Sequence, residues 1–317
     1  MSTTAKAKKP EAKSETKSDA GVEAPKTIAL KDVEKLPAPN EDVGLSRETL
    51  REIESAAIEL AGIAGAEITR AVGGLLAVRY KTSAKADEFK DPVSEVDQNV
   101  EIMIRKKLSE SFPKHDIIGE ESKERPAKND FIWAVDPIDG TANFVNGLPL
   151  FAASIGILYK GVPVVGAVWT SVSHALRAGV YHCTAGGKLR FDGADVTPKV
   201  NPDVKRRLIG VPVATVSDGL WETRKTGSAA LECAMVAAGL LQAARFATPN
   251  IWDIAGGLAL VFAGGGVAWR RVDKEWVEMT IFEPSKENPD LRYWRGEIII
   301  GERSAAEKMV EMQSSTS

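Results

Sequence analysis

Four acidic clusters, each set between an apolar run and a turn, restrict the folding of this chain more than any other feature. They are Asp91 to Asp97, Gly119 to Ser122, Asp136 to Thr141 and Trp252 to Gly256. Carboxylates are rarely buried unless they are paired or bound to a cation, so a fold that brings these segment ends together must supply a positive partner. Several acids at the ends of apolar segments suggest a hard-metal site, and with it metal-assisted chemistry on a phosphate.

Taken one at a time, the clusters also admit plainer roles. Asp97 follows Ser94 at the spacing of a capping box. Glu120 and Glu121 could be solvated residues of a turn after Gly119. Asp253 could be the N-cap of a helix. Asp136-Pro-Ile-Asp-Gly-Thr141 is more specific: Pro137 stiffens a turn, Gly140 permits close backbone approach, and two acids flank the Ile138 carbonyl. A carbonyl with carboxylates is a magnesium-type ligand set, and Thr141 adds a hydroxyl where a helix start would receive phosphate.

The rest of the chain sets the frame. Residues 1–44 are rich in Lys, Ala, Glu, Ser, Thr and Pro and are expected to form a disordered extension, cytoplasmic by default because they lack the apolar centre of a secretory signal. From Ser46, Leu50, Ile53, Ala57, Leu60, Ala64 and Ile68 recur at helical spacing up to Gly73-Gly74. A second helix is expected from Ser94 to before Pro113, carrying Val100, Met103, Ile104 and Leu108, with Arg79 to Lys90 as a polar connection. Ile117-Ile118 and Phe131 to Val135 read as buried strands, and Phe151 to Leu158, Val162 to Trp169 and Ala178 to His182 as an antiparallel meander. Beyond Asp192 to Pro202, a strand from Arg207 to Val213, helices over Ser228 to Ala244 and Asp253 to Phe262, and late strands near Val267 and Ile298 are expected. These divide the folded part into halves at 45–195 and 196–312, with 313–317 as a disordered tail.

Composition excludes some classes. A formal charge of −3 gives no basic field of the kind nucleic-acid binding requires, and no apolar run reaches the length of a membrane span. Cys183 and Cys233 have neither CxxC spacing nor a neighbouring metal-type histidine, and read as buried thiols. His115, His174 and His182 stand outside the acidic clusters. Gly264 to Gly266 lacks the Lys-Ser/Thr pair of a phosphate loop and reads as a turn from helix to strand.

In order and in content, Asp91-Pro-Val-Ser-Glu-Val-Asp97, Ile118-Gly-Glu-Glu-Ser122, Trp133-Ala-Val-Asp-Pro-Ile-Asp-Gly-Thr-Ala-Asn-Phe144 and Trp252-Asp-Ile-Ala-Gly256 resemble the inositol monophosphatase family of magnesium-dependent, lithium-sensitive phosphatases. The resemblance spans Ser46 to about Ala306. It implies an α+β fold, a layered αβαβα sandwich shared with fructose-1,6-bisphosphatase, and a homodimer acting on a small phosphate monoester. It further implies that Glu120, Asp136 and the Ile138 carbonyl hold one magnesium, that Asp136, Asp139 and Asp253 hold a second, and that Asp97 helps hold a third; manganese is an alternative ion. Thr141, hydrogen-bonded to Asp97, would orient the attacking water with help from Glu120. Asp139, Gly140 and Thr141 would cradle phosphate, while Gly227, Ser228, Ala229 and Asp253 would contact substrate.

One position departs from the pattern. The family's inositol-binding glutamate, seven residues before the Trp-Asp aspartate, is Phe246 here, and the family's upstream loop lysine is not matched in register, though Lys85 and Lys90 are near. Either an aromatic or less polyhydroxylated leaving group is handled, or Arg245 or Asn250 supplies the polarity instead. Histidinol phosphate, fructose 1,6-bisphosphate and 3'-phosphoadenosine nucleotides stand beside inositol phosphate as substrates, and a non-catalytic metal-binding scaffold stands as the alternative of another class.

Overall fold

The computed structural model describes residues 43–74, 78–82, 89–121, 128–198, 201–213, 219–285 and 288–314. Residues 1–42 of the expected extension, Lys85, Ser122 and residues 315–317 lie outside the described residues, as does the side chain of Lys90.

Helical periodicity after Ser46 becomes α1 (Arg47–Ala71), whose N-cap hydroxyl on Ser46 accepts from Thr49 N at 3.0 Å. Leu50, Ile53, Ala57, Leu60, Ala64 and Ile68 are all buried, as one apolar stripe requires. The stretch expected as a polar connection instead supplies an antiparallel pair, β1 (Val78–Thr82) and β2 (Phe89–Ser94). The first of these has the sequence Val-Arg-Tyr-Lys-Thr, and strands favour such β-branched and aromatic residue types. Helix α2 (Glu95–Ser111) starts at a reciprocal capping box between Ser94 and Asp97 and ends ahead of Pro113. It buries Val100, Ile104 and Leu108, whereas Met103 is only half-buried.

A seven-stranded sheet follows: β3 (Asp116–Gly119), β4 (Phe131–Asp139), then after short α3 (Thr141–Val145) β5 (Ala152–Tyr159), β6 (Val162–Thr170), β7 (Gly179–Thr184), β8 (Arg190–Phe191) and β9 (Ala194–Asp195). Its spatial order is its chain order, with β3 and β4 parallel and each later pair antiparallel, so the expected meander is present.

The six-stranded sheet comprises β10 (Arg207–Gly210), β11 (Trp221–Arg224), β12 (Ala243–Phe246), β13 (Val267–Val272), β14 (Glu275–Glu278) and β15 (Ile298–Gly301), in the order β11-β10-β12-β15-β13-β14. Helices α4 (Ala229–Ala237) and α5 (Ile251–Ala263) interrupt it, and α6 (Arg303–Ser314) follows it. Two expectations are corrected here. The helix foreseen to Ala244 ends at Ala237, because Gly239 turns the chain at φ 74° and the amides of Leu240 and Leu241 both close onto Met235 O; Ala243 and Ala244 are then free to enter β12. Asp253 does not begin α5 but sits in its first turn, with Asn250 as the N-cap.

Three apolar clusters show the layering. The first lies between α1 and α2 and one face of the seven-stranded sheet, through Ile53, Ile104, Trp133, Val135 and Ile155. The second holds α4 and α5 between the two sheets, through Ala134, Val168, Leu231, Leu258, Phe246 and Ile300. The third packs α6 on the outer face of the six-stranded sheet, through Ile209, Ala243, Ile299 and Met309. The order is thus helices, sheet, helices, sheet, helix, the αβαβα sandwich expected. Among the described residues, no helix is long and apolar enough to cross a membrane.

Candidate functional site

All four acidic clusters end on elements that meet at the edge of the central helical layer. Glu120 lies in the turn after β3, Asp136, Ile138 and Asp139 in the last residues of β4, Asp97 in the first turn of α2, and Asp253 in the first turn of α5. Strand β4 runs through Asp136 and Asp139, but its pairing with β5 shifts between them, which bends the chain where the two acids stand. Gly140 then turns with φ 93°, and a Cβ there would lie 3.1 Å from Leu150 O and 3.2 Å from the Ser228 Cβ. Only glycine accepts both that dihedral and that approach.

Hydrogen bonds join the predicted residues across the sequence. Thr141 Oγ1 lies 3.1 Å from Asp97 Oδ1 and 2.8 Å from the Ile138 carbonyl oxygen. Asp97 Oδ2 accepts from Ser94 N at 2.8 Å and Ser94 Oγ at 2.5 Å, so the capping box and the contact with Thr141 coexist on one carboxylate. Asp139 Oδ2 accepts from Ser228 Oγ at 2.7 Å and from Ala230 N at 2.5 Å. Asp253 Oδ2 accepts from Asn250 N at 2.7 Å. Gly227 stands against the Asn143 amide and brings Ser228 to Asp139; the backbone bond to Asp139 comes from Ala230, with the half-buried Ala229 packed against the central core.

The electrostatics show the acids to be mutual neighbours. Burial raises the Asp136 carboxyl well above the usual range, and the charges of Glu120, Asp139, Asp253 and Asp97 raise it further. Asp139 is likewise pushed well up, by burial and by Asp253. Burial lifts Asp253 to about 7, with Glu120 adding to the rise and Arg295 opposing it. Asp97 is raised by burial, against the pull of its bonds to Ser94 and Thr141. Asp136 Oδ1 is buried with no hydrogen-bond partner among the described residues. A buried carboxylate oxygen in that position costs several kcal/mol unless a proton or cation meets it, so the oxygen-only donor set fits a hard divalent ion. Among the described residues, no three His, Cys, Asp or Glu side chains already stand in a ligating cage.

Residues that sequence reading left unassigned hold this arrangement. Buried Glu101 accepts from Glu121 N at 2.7 Å through Oε2 and from Arg105 Nε at 2.7 Å through Oε1, fixing the turn that carries Glu120. The only signal for it was its helical spacing to Arg105. Asn143 donates to Leu150 O at 2.6 Å and Thr226 O at 2.7 Å, tying the Gly140 turn to the approach of α4. Buried Glu232 accepts from Thr226 N at 3.1 Å and Thr226 Oγ1 at 2.8 Å, and burial lifts its carboxyl to about 7. The histidines serve elsewhere: His115 Nδ1 accepts from Trp133 Nε1 at 2.9 Å, and His182 Nδ1 pairs with Glu54 at 2.7 Å. Both cysteines are free, buried thiols.

Comparison with known proteins places the chain among relatives of known family. Residues 49–281 match the profile of the inositol monophosphatase family. The chain is 30% identical over 224 residues to the fructose-1,6-bisphosphatase/inositol-1-monophosphatase of Aquifex aeolicus, covering 66% of this chain and 82% of that protein. It is 34% identical over 227 residues to the putative Nus factor SuhB of Neisseria meningitidis serogroup B, covering 67% of this chain and 84% of that one. Among solved structures, the extragenic suppressor protein suhB of Bartonella henselae superposes with a TM-score of 0.65 at 25% identity, over 83% of this chain and 98% of that chain. With five acids gathered from four separate segments of an αβαβα sandwich, and a profile match over most of its folded length, this chain belongs to the inositol monophosphatase family.

Proposed function

We propose that the protein is a magnesium-dependent phosphomonoesterase that hydrolyses a small phosphorylated metabolite. The observation that carries this reading is that the charges of Glu120, Asp139, Asp253 and Asp97 all bear on Asp136, whose buried Oδ1 has no hydrogen-bond partner among the described residues. Glu120, Asp136, Asp139, Asp253 and the Ile138 carbonyl would hold two magnesium ions and Asp97 would help hold a third, with manganese able to substitute because both favour oxygen donors. Bound magnesium supplies Lewis-acid neutralisation of the phosphoryl and leaving oxygens.

The side chains themselves account for the orientation of water. The Thr141 hydroxyl has one hydrogen and two acceptors in reach, Asp97 Oδ1 and Ile138 O. With that hydrogen donated to Asp97, the Thr141 oxygen would offer its lone pairs to a water hydrogen. The water oxygen then faces phosphorus. Its P–O bond forms as the ester P–O bond breaks, and the water's proton ends on the departing alcohol oxygen. Ser228 and the Ala230 amide keep Asp139 from swinging away during the step.

Replacing Asp139 by Asn is expected to lower phosphate release by at least about 100-fold while leaving the folded circular dichroism spectrum intact. The esters to be assayed are inositol 1-phosphate, histidinol phosphate, fructose 1,6-bisphosphate and a 3'-phosphoadenosine nucleotide, with lithium expected to inhibit. Turnover that survives Asp139→Asn unchanged would remove this mechanism. One observation favours a second reading, that relatives at this level of identity include a protein named as a putative Nus factor. Wild-type protein that releases no phosphate from any of these esters would favour a non-catalytic binding role.

A further inference from the structure

The substrate wall departs from the family pattern at Phe246, and the structure narrows what replaces the missing carboxylate. Phe246 is buried in the core between the sheets, so its ring offers no acceptor to a hydroxyl-rich leaving group. Arg245, its neighbour in β12, faces the other way by strand alternation. It donates to Glu297 Oε1 through Nε at 2.7 Å and through Nη2, in a cluster that includes Arg271 at 3.2 Å from Glu297 Oε2. Asn250 is committed to Asp253 through its amide and side chain. Neither candidate from sequence is available.

Arg295 is. It precedes β15, whose Ile298 pairs with Phe246, and its exposed side chain returns over α5. Its guanidinium carbon stands 5.6 Å from the Trp252 ring centroid, and its charge counters the rise of Asp253. Its Nη1 is braced by Trp294 O at 2.6 Å and Arg292 O at 3.2 Å. Among the described residues, no carboxylate lies within ion-pairing distance of it. A braced guanidinium without an acid partner, stacked on an aromatic ring beside a metal-binding acid, is a ready receptor for an oxyanion.

We infer that Arg295 is a specificity-determining residue that receives a second anionic group, a phosphate or carboxylate, carried on the alcohol part of the ester. Preferred substrates are then phosphomonoesters with an acidic leaving group, ahead of neutral polyols and of cationic alcohols, which the guanidinium repels. This inference rests on the phosphatase reading above and deepens it.

The test uses the full chain with magnesium and compares fructose 1,6-bisphosphate, inositol 1-phosphate and histidinol phosphate on wild type, Arg295→Gln and Arg295→Lys. Wild type is expected to favour the bisphosphate in kcat/KM. Arg295→Gln should lose about 10- to 100-fold on the bisphosphate, as expected for a lost charge-assisted bond, chiefly through KM. Inositol 1-phosphate should change less than about threefold, as expected where no such bond is made. Arg295→Lys should recover part of the loss. Equal losses on all three esters would show that Arg295 acts only through Asp253 and would overturn the inference, as would no change on any. Calorimetric binding of a non-hydrolysable bisphosphonate to the same proteins separates the two readings. If no ester turns over but the bisphosphonate binds at least about tenfold more weakly to Arg295→Gln, the phosphatase reading fails and the anion subsite stands; if binding is unaltered, the subsite fails.

Discussion

Glu232 illustrates how single buried groups shape this protein. Its carboxyl, raised from 4.5 to about 7 by burial, accepts two bonds from Thr226 and so steadies the loop that delivers Ser228 to Asp139. A group whose folded pKa exceeds its unfolded value binds more protons when folded, so its stabilisation is complete below about 4.5 and is lost as pH rises toward about 7. The shift corresponds to about 3 kcal/mol. Glu232→Gln retains an acceptor for Thr226 without the charge. It should raise the melting temperature at pH 8, leave it nearly unaltered at pH 4.5 and flatten the decline between them; a decline of the same slope in the variant would refute the assignment. Nothing in the sequence distinguished Glu232 from an ordinary helical glutamate, because its burial depends on β10, where a Cβ at Gly210 would lie 2.4 Å from its Oε2. The acids that come together were legible at this scale because their local motifs, above all Asp136 to Thr141, are dense and specific. The failure of Arg245 and Asn250 as substitutes was not, because it follows from a cross-strand partner, Glu297, and from a helix N-cap.

At the scale of elements, α5 reaches the site because nothing separates it from the seven-stranded sheet. A Cβ at Gly156 in β5 would lie 2.3 Å from Gly256 N, and one at Gly166 in β6 would lie 2.3 Å from Gly256 O. Backbone meets backbone there, and this fixes the depth at which the first turn of α5 presents Asp253 to Asp136. Gly156→Ala should therefore destabilise the protein by about 3 kcal/mol or more in urea unfolding, because backbone cannot rotate away as a side chain can. A loss below about 1 kcal/mol would mean that the helix is not so tightly seated. Helices α1 and α2 and the meander were legible from periodicity, which tertiary context did not override. The end of α4 was not, since Ala-rich sequence continues smoothly past Ala237 and only the turn at Gly239 divides helix from strand.

Over the whole molecule, the αβαβα stack carries acids from the turn after β3, from β4, from α2 and from α5 to one edge of its central helical layer. Each carboxylate raises its neighbours' affinity for protons, so the same assembly that builds the donor set strains the protein when no cation is bound. Order and spacing of the motifs foretold this stack through family resemblance, whereas composition alone would have allowed many layered folds. Binding to the folded state alone must stabilise it. The most direct test of the central claim is a calorimetric titration of magnesium into wild-type protein and Asp136→Asn, with melting temperature followed on the same samples. Wild type should bind at least two ions, with a melting temperature that rises as millimolar magnesium is added, and Asp136→Asn should lose both effects. Wild-type protein that takes up no magnesium and melts at one temperature throughout would contradict the account.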